Sequence, residues 1–214
     1  IARIAMKNKD YSLVEKHLTT FLAFKNQHPN LIKIAKKRLA DALFRPQALQ
    51  NPVPFSPQNL GSNINTAQRE YFPSISLDNQ LVYTVQFGQG NQAQEDLYIS
   101  SYDKGTWQKG RGIDQVNTSE NEGAQTISAD GNFLVFTVCN RPEDYGSCDL
   151  YYAQKIEGQW TKPRNIGPPI NSSQWESQPS IASNGKALYF VRGAARGQGH
   201  KDIYVSKRQK DGTW

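Results

Sequence analysis

Two periodicities divide the chain. In residues 1–48 apolar positions recur three and four apart, the spacing of one helix face. From residue 72 onward they alternate with polar ones, the spacing of half-buried strands. Leu13, Val14, Leu18, Phe21 and Leu22 form a helical stripe. Ser12-Leu13-Val14-Glu15 before it matches a capping box, in which Ser and Glu satisfy each other's free backbone donors. His28-Pro29-Asn30 breaks the stripe, and Pro29 suits a helix start, where no amide bond is lost. The next helix should carry Leu31, Ile32, Ala35, Leu39, Ala42 and Leu43 inward and Lys33, Lys36, Lys37 and Arg38 outward, ending at Arg45-Pro46. Ile1 to Lys7 would be the tail of an earlier helix. Residues 49–57, with Pro52, Pro54 and Pro57, are a connector.

The strand-like part repeats itself. Trp107, Trp160 and Trp214 each close a unit of just over fifty residues. Ile64-Asn65, Val116-Asn117 and Ile170-Asn171 keep step, and Glu70, Glu122 and Glu176 follow five residues after the asparagines. Asp96-Leu97-Tyr98, Asp149-Leu150-Tyr151 and Asp202-Ile203-Tyr204 precede the tryptophans. Each unit predicts an inner strand (Phe72–Ser76, Gln125–Ser128, Gln178–Ala182) and a turn at Asp78-Asn79, Asp130-Gly131 or Asn184-Gly185. A second strand follows (Leu81–Val85, Phe133–Val138, Ala187–Val191), then a third (Leu97–Ser100, Leu150–Ala153, Ile203–Ser206). An outer strand starts near each Trp. A fixed period of this length built from short strands is the signature of β-propeller blades. The fold class is therefore mainly β with an N-terminal α segment, and residues 58–214 hold about three blades. A closed ring needs at least four. Ser56-Pro57-Gln58-Asn59-Leu60-Gly61 matches the outer strand Lys162-Pro163-Arg164-Asn165-Ile166-Gly167 but has no inner strands of its own. It is expected to complete a last blade beyond residue 214. The chain starts at Ile1 rather than Met and stops at a repeat landmark, as an internal fragment would.

Charge is unevenly spread. The net charge is +6, yet residues 1–50 hold ten Lys/Arg against three Asp/Glu, and residues 51–214 hold fifteen against sixteen. A basic helix surface can meet an acidic partner, an anionic membrane face or nucleic acid, or simply be a solvated face. The aromatic interleaving of a nucleic-acid module is missing. No apolar run is long enough to cross a bilayer. Cys139 and Cys148 flank an eight-residue loop between two strands. A metal site would want more ligands, so a disulfide fits better than two free thiols and implies an oxidising compartment.

Repetition also decides how to weigh candidate chemistry. Glu70, Glu122 and Glu176 could ring one mouth of a central channel as a cation or ligand site, or each could brace its own loop. Equivalent positions in equivalent surroundings lack the divergent pKa values an acid/base pair needs, which favours the bracing role. With Trp107, Trp160 and Trp214 they are read as scaffold. No nucleophile elbow occurs, and His200 is the only histidine of the repeat region. No catalytic, metal or cofactor site is assigned. Asn117-Thr118-Ser119 and Asn171-Ser172-Ser173 match a glycosylation sequon but sit in the repeated loop as turn residues. The departures from the repeat are the better binding candidates. They are Gly88–Glu95, the cysteine loop with Asn140, Arg141, Glu143 and Asp144, and the Gly/Arg loop with Arg192, Arg196 and His200.

The runs FPSISLDNQLVYT, AQTISADGNFLVFTVCNRPEDYGSCDLYY and QPSIASNGKALYFVR resemble the repeats of TolB-like propellers. Residues 1–48 resemble a tetratricopeptide hairpin. Their order, with the NPVPF connector between, is similar to periplasmic OmpA-family proteins of Bacteroidota that serve type IX secretion and gliding. The resemblance implies a noncatalytic periplasmic scaffold beside the outer membrane. Its partners would be envelope proteins, with peptidoglycan bound by a C-terminal domain outside this chain. It implies no cofactor, no nucleic acid and no enzyme activity. The alternatives are a sugar-binding or glycoside-processing propeller and a TolB-like translocation component.

Overall fold

The computed structural model describes residues 1–193 and 199–214. Among the described residues the chain is mainly β with three α-helices, and it falls into two compact units, Ile1–Gln58 and Asn59–Trp214.

The first unit holds α1 (Ala2–Lys7), α2 (Tyr11–Ala23) and α3 (Pro29–Gln50). The cap of α2 is Asp10, whose carboxylate accepts from the Leu13 amide at 3.0 Å, so Ser12 lies inside the helix rather than at its cap. α3 opens on Pro29 and continues through Pro46 to Gln50. The ending expected at Arg45-Pro46 is therefore overturned, although Pro46 removes one backbone donor from the helix. Ala5, Val14, Leu18, Ala35 and Ala42 form the core, with Leu13, Phe21, Leu22 and Leu39 packed around them. Leu31 and Leu43, expected inward, are exposed. Lys33, Lys36, Lys37 and Arg38 are exposed as well.

The second unit is three successive antiparallel meanders. The first comprises β1 (Arg69–Ile75), β2 (Gln80–Phe87), β3 (Gln94–Asp103), β4 (Thr106–Trp107) and β5 (Arg111–Gly112). The second comprises β6 (Asn121–Ile127), β7 (Phe133–Cys139), β8 (Cys148–Ile156), β9 (Gln159–Trp160) and β10 (Arg164–Asn165). The third comprises β11 (Trp175–Ile181), β12 (Ala187–Gly193) and β13 (Lys201–Lys207). In each of the first two, the two short outer strands pair with the third strand, β4 and β5 with β3, β9 and β10 with β8. One parallel bridge, Trp175 to Cys148, joins the second and third meanders into a continuous sheet.

The first strands begin three to four residues before the expected positions, because each carries a bulge. The register slips between Tyr71 and Ser74, Gly123 and Thr126, and Ser177 and Ser180. Phe72, Ala124 and Gln178 sit at that slip with φ of 51, 45 and 56°. A left-handed conformation at three non-glycine residues in equivalent places marks a built-in feature of the repeat. The turns repeat as closely, with positive φ at Asn79, Gly131 and Gly185.

Neighbouring meanders are bound by the same contacts. Asn117 inserts its carboxamide beside β3, accepting from the Leu97 amide at 2.9 Å and donating to the Leu97 carbonyl at 3.0 Å. Asn171 does the same to Leu150 of β8, at 2.9 and 2.8 Å. Hydroxyls latch the first strands, with Ser74 accepting from the Ile127 amide and Thr126 from the Ile181 amide. Apolar layers fill the spaces between. Val82, Leu97 and Ile99 meet Val116, Ile127, Leu134, Phe136 and Trp160, while Val135 and Leu150 meet Ile170, Leu188, Phe190 and Trp214. Trp107 packs on Ile64, Leu81, Tyr83 and Val85. Each Trp thus closes an apolar layer, burying a large surface at low entropic cost.

Candidate binding surface

The repeated glutamates and the loops between second and third strands share one end of the meanders. Strand register places Arg69 opposite Gln86, Phe87 opposite Gln94, Cys139 opposite Cys148 and Gly193 opposite Lys201. Each glutamate folds back on its own preceding loop. Glu70 accepts from the amide and hydroxyl of Thr66, Glu122 from those of Thr118, and Glu176 from those of Ser172. Glu122 and Glu176 are wholly buried. Burial raises the carboxyl pKa of Glu122, and the Thr118 bonds and the Arg141 guanidinium pull it back.

Two arginines reach these carboxylates by different routes. Arg192 lies on β12 directly opposite Glu176 and bonds it at 2.7 Å, with further bonds to the Pro169 and Ile170 carbonyls. Arg141 comes from the cysteine loop, bonds Glu122 at 2.8 Å and stacks 4.8 Å over Tyr151. In the first meander Val85 stands opposite Glu70, and that carboxylate remains partly exposed. A buried carboxylate needs a partner; a half-exposed one is solvated.

The cysteine loop is rigid at its base. Cys139 and Cys148, a cross-strand pair, form a disulfide. Asp144 accepts from the Arg141 amide and the Tyr151 hydroxyl at 2.9 and 2.7 Å, and burial pushes its carboxyl pKa up. Asp149, fully buried, accepts from the Tyr145 and Gly146 amides and from Asn165. A Cβ on Gly146 would fall 1.6 Å from the Gln174 carbonyl oxygen, so only glycine lets the loop pack on the third meander. What remains at the surface is the tip, Asn140, Pro142, Glu143, Tyr145 and Ser147.

The structure thus divides the candidate binding residues. Arg141, Asp144 and Arg192 spend their charges inside the fold, while Asn140, Glu143 and His200 are exposed. Arg196 lies outside the described residues. Sequence reasoning overlooked Tyr145, an aromatic 53% exposed between two clamped carboxylates. It also missed two cavities at the opposite end of the strands. One, about 200 Å³, is lined by Gln80, Arg111, Asp114, Lys155 and Trp160. Lys155 donates to Gln80 and lies 4.8 Å over the Trp160 ring, and burial lowers its pKa. The other, about 450 Å³, is lined by Asp130, Phe133, Lys186, Arg208 and Trp214. Lys155, five positions before Trp160, was the available signal for the first.

No protein-family model matches the chain, and no curated protein sequence does. Among solved structures, it is similar to a protein assigned as TolB from Agrobacterium tumefaciens, at 17% identity and a TM-score of 0.49. That match covers 70% of this chain and 49% of the other. TolB from Acinetobacter baumannii is 18% identical over 71% of this chain and 32% of its own, with a TM-score of 0.46. A puromycin-hydrolyzing peptidase of Mycobacterium tuberculosis is 14% identical, with 65% and 22% covered and a TM-score of 0.44. The chain thus spans half or less of the length of each.

Proposed function

We propose that the chain is a noncatalytic scaffold and protein-interaction module of the bacterial envelope, PorE-like in its order of helical repeat and TolB-like propeller. On this reading the three meanders are propeller blades and the helices are the end of a tetratricopeptide array. A domain outside the chain ties the molecule to peptidoglycan, and partners of the type IX secretion apparatus dock on the blades. The observation that carries it is the cysteine loop. A disulfide persists in an oxidising compartment such as the periplasm. Arg141, Asp144 and Asp149 hold the loop from within, so its exposed tip is presented in one conformation. Ordering costs little on binding when the loop is already ordered, and an exposed Tyr on a rigid base is a typical protein-contact anchor. The exposed Lys33, Lys36, Lys37 and Arg38 form a second surface, suited to an acidic partner.

The test is cross-linking in intact envelopes, read by mass spectrometry, with the native loop and with the double variant Glu143→Ala, Tyr145→Ala. The scaffold reading expects discrete protein cross-links from the loop that fall about tenfold in the variant, while the fold is unchanged. Glycan turnover by the purified chain, lost on changing Lys155 or Asp114, would overturn it in favour of a carbohydrate-processing protein.

A further inference from the structure

The cleft between the first and second meanders breaks the repeat in its chemistry. It is the cavity of about 200 Å³ lined by Gln80, Arg111, Asp114, Lys155 and Trp160. Arg111 comes from β5 of the first meander and Lys155 from β8 of the second, so two cations from different meanders line one space. Neither forms an ion pair among the described residues. Lys155 is held from both meanders: its ammonium donates to the Gln80 carboxamide and stands over Trp160, and Gln80 in turn donates to Asp78. Burial lowers the Lys155 pKa; among nearby charges, Asp78 and Asp130 raise it and Arg111 lowers it. Two like charges held at one cavity repel each other, and an anion between them relieves that repulsion.

The counterpart cleft between the second and third meanders, about 240 Å³, is built otherwise. By strand register, Phe133 stands where Gln80 does and Tyr152 where Ile99 does. Their rings stack at 5.5 Å. Arg208, counterpart of Lys155, lies 5.4 Å over Phe133 and 5.5 Å over Trp214, and donates to the Gly212 carbonyl. Arg164, counterpart of Arg111, does not line that cleft. Its one charged group is thus met by two rings and a carbonyl. The first cleft keeps the architecture and exchanges the aromatic lining for converging cations and carboxamides, which the scaffold itself does not require.

We infer that the cleft between the first and second meanders binds a small hydroxylated carboxylate, the size of a single sugar acid. The Arg111 guanidinium, a planar fork, would take the carboxylate in a paired contact, with the Lys155 ammonium as a point charge beside it. Asp114 sets one negative charge against these two cations. That lining suits a single negative charge better than the nearly doubled charge of a phosphate group. Gln115 and Gln159, both exposed, offer carboxamide donors and acceptors to hydroxyls. Ile99 and Ile113 supply buried apolar lining. The volume falls below the roughly 300–1,000 Å³ of pockets that take drug-sized ligands, so the fit is to one small molecule. The cleft lies at the opposite end of the strands from the cysteine loop, and its ligand goes beyond the scaffold role without depending on it.

The test is a titration of the isotope-labelled 214-residue chain with D-glucuronate, followed by NMR. The expected result is a saturable shift, in the millimolar range, of the Trp160 indole N–H and of the amides of residues 111–115 and 158–160. Arg111→Gln, at an exposed position, should leave the rest of the spectrum unchanged and raise the dissociation constant about tenfold, the loss of one charged hydrogen bond. Lys155→Gln should raise it as much, and Arg164→Gln, outside the cleft, should leave it unchanged. Acetate, D-glucose and inorganic phosphate lack the hydroxyls, the carboxylate and the single charge respectively, and each should bind at least about tenfold more weakly. Absence of a shift at the cleft overturns the inference, as does equal binding of any of these three. So does a dissociation constant indifferent to Arg111→Gln, or raised as much by Arg164→Gln. The loop-tip cross-links are read separately, so this inference and the scaffold reading can each fail alone.

Discussion

The second and third meanders are nearly the same object in different company. Leu150 and Ile203 occupy the same place on the third strand, yet one is sealed and the other is 78% exposed. Val135 and Tyr189 differ in the same way. The pairing of second with third strand is the same in both, so that pairing does not decide burial. What differs is what lies beside and after the third strand: among the described residues the second meander has β9 and β10 paired along it and Ile170, Asn171 and β11 following it. In this fold a strand's apolar face becomes core only when the next repeat arrives, the nearest-neighbour economy of repeat proteins.

The sharpest way to break that comparison is to truncate both positions. Leu150→Ala should cost about 3 kcal/mol, the transfer and cavity cost of a sealed leucine. Ile203→Ala should stay within about 0.5 kcal/mol in dilute solution. Urea unfolding followed by tryptophan fluorescence reports on the meanders alone, since all four tryptophans lie in the second unit. Equal losses would refute the comparison. Next in size is the carboxylate contrast. Glu122→Ala strands Arg141 and should cost about 3 kcal/mol. Glu70→Ala, at a half-exposed site with no arginine partner among the described residues, should cost about 1 kcal/mol by the same measurement.

Replacing Cys139 and Cys148 together by Ala should lower stability by about 2–3 kcal/mol, the chain-entropy value for a loop of this length. The sister hairpins close the same register with Gln86–Glu95 and Gly193–Lys201 and need no such bond. Reduction of the native protein should reproduce the loss, and an unchanged urea midpoint would contradict it.

The smallest effect is in acid. Asp78 and Asp130 have lowered carboxyl pKa values, the first cause in each case being the hydroxyl of Ser76 or Ser128. A depressed acid favours the folded state above its unfolded pKa and loses that contribution as pH falls through the folded value. Stability should therefore drop below about pH 4. Ser128→Ala should flatten that part of the profile, whereas the third meander, with Asn184 at this place, contributes nothing to it.

The period was legible because its landmarks either hold neighbouring meanders together, as Asn117, Asn171 and the closing tryptophans do, or brace the loop before each meander, as the glutamates do. Their function is local and recurs every fifty-odd residues, so it leaves a pattern in one dimension. The bulges at Phe72, Ala124 and Gln178 left none, since three unlike side chains share that backbone. Arg141 was legible only as a loop charge. Its partner Glu122 lies nineteen residues away, and loop closure, not spacing, brings them together. The course of α3 through Pro46 was missed for a related reason, the local preference of proline being outweighed by the rest of the helix.

Amide hydrogen exchange tests the central claim most directly. The Leu97 and Leu150 amides, gripped by Asn117 and Asn171, should exchange orders of magnitude more slowly than the Ile203 amide, which no described residue grips. Protection at Ile203 equal to that at Leu97 and Leu150 would contradict the account.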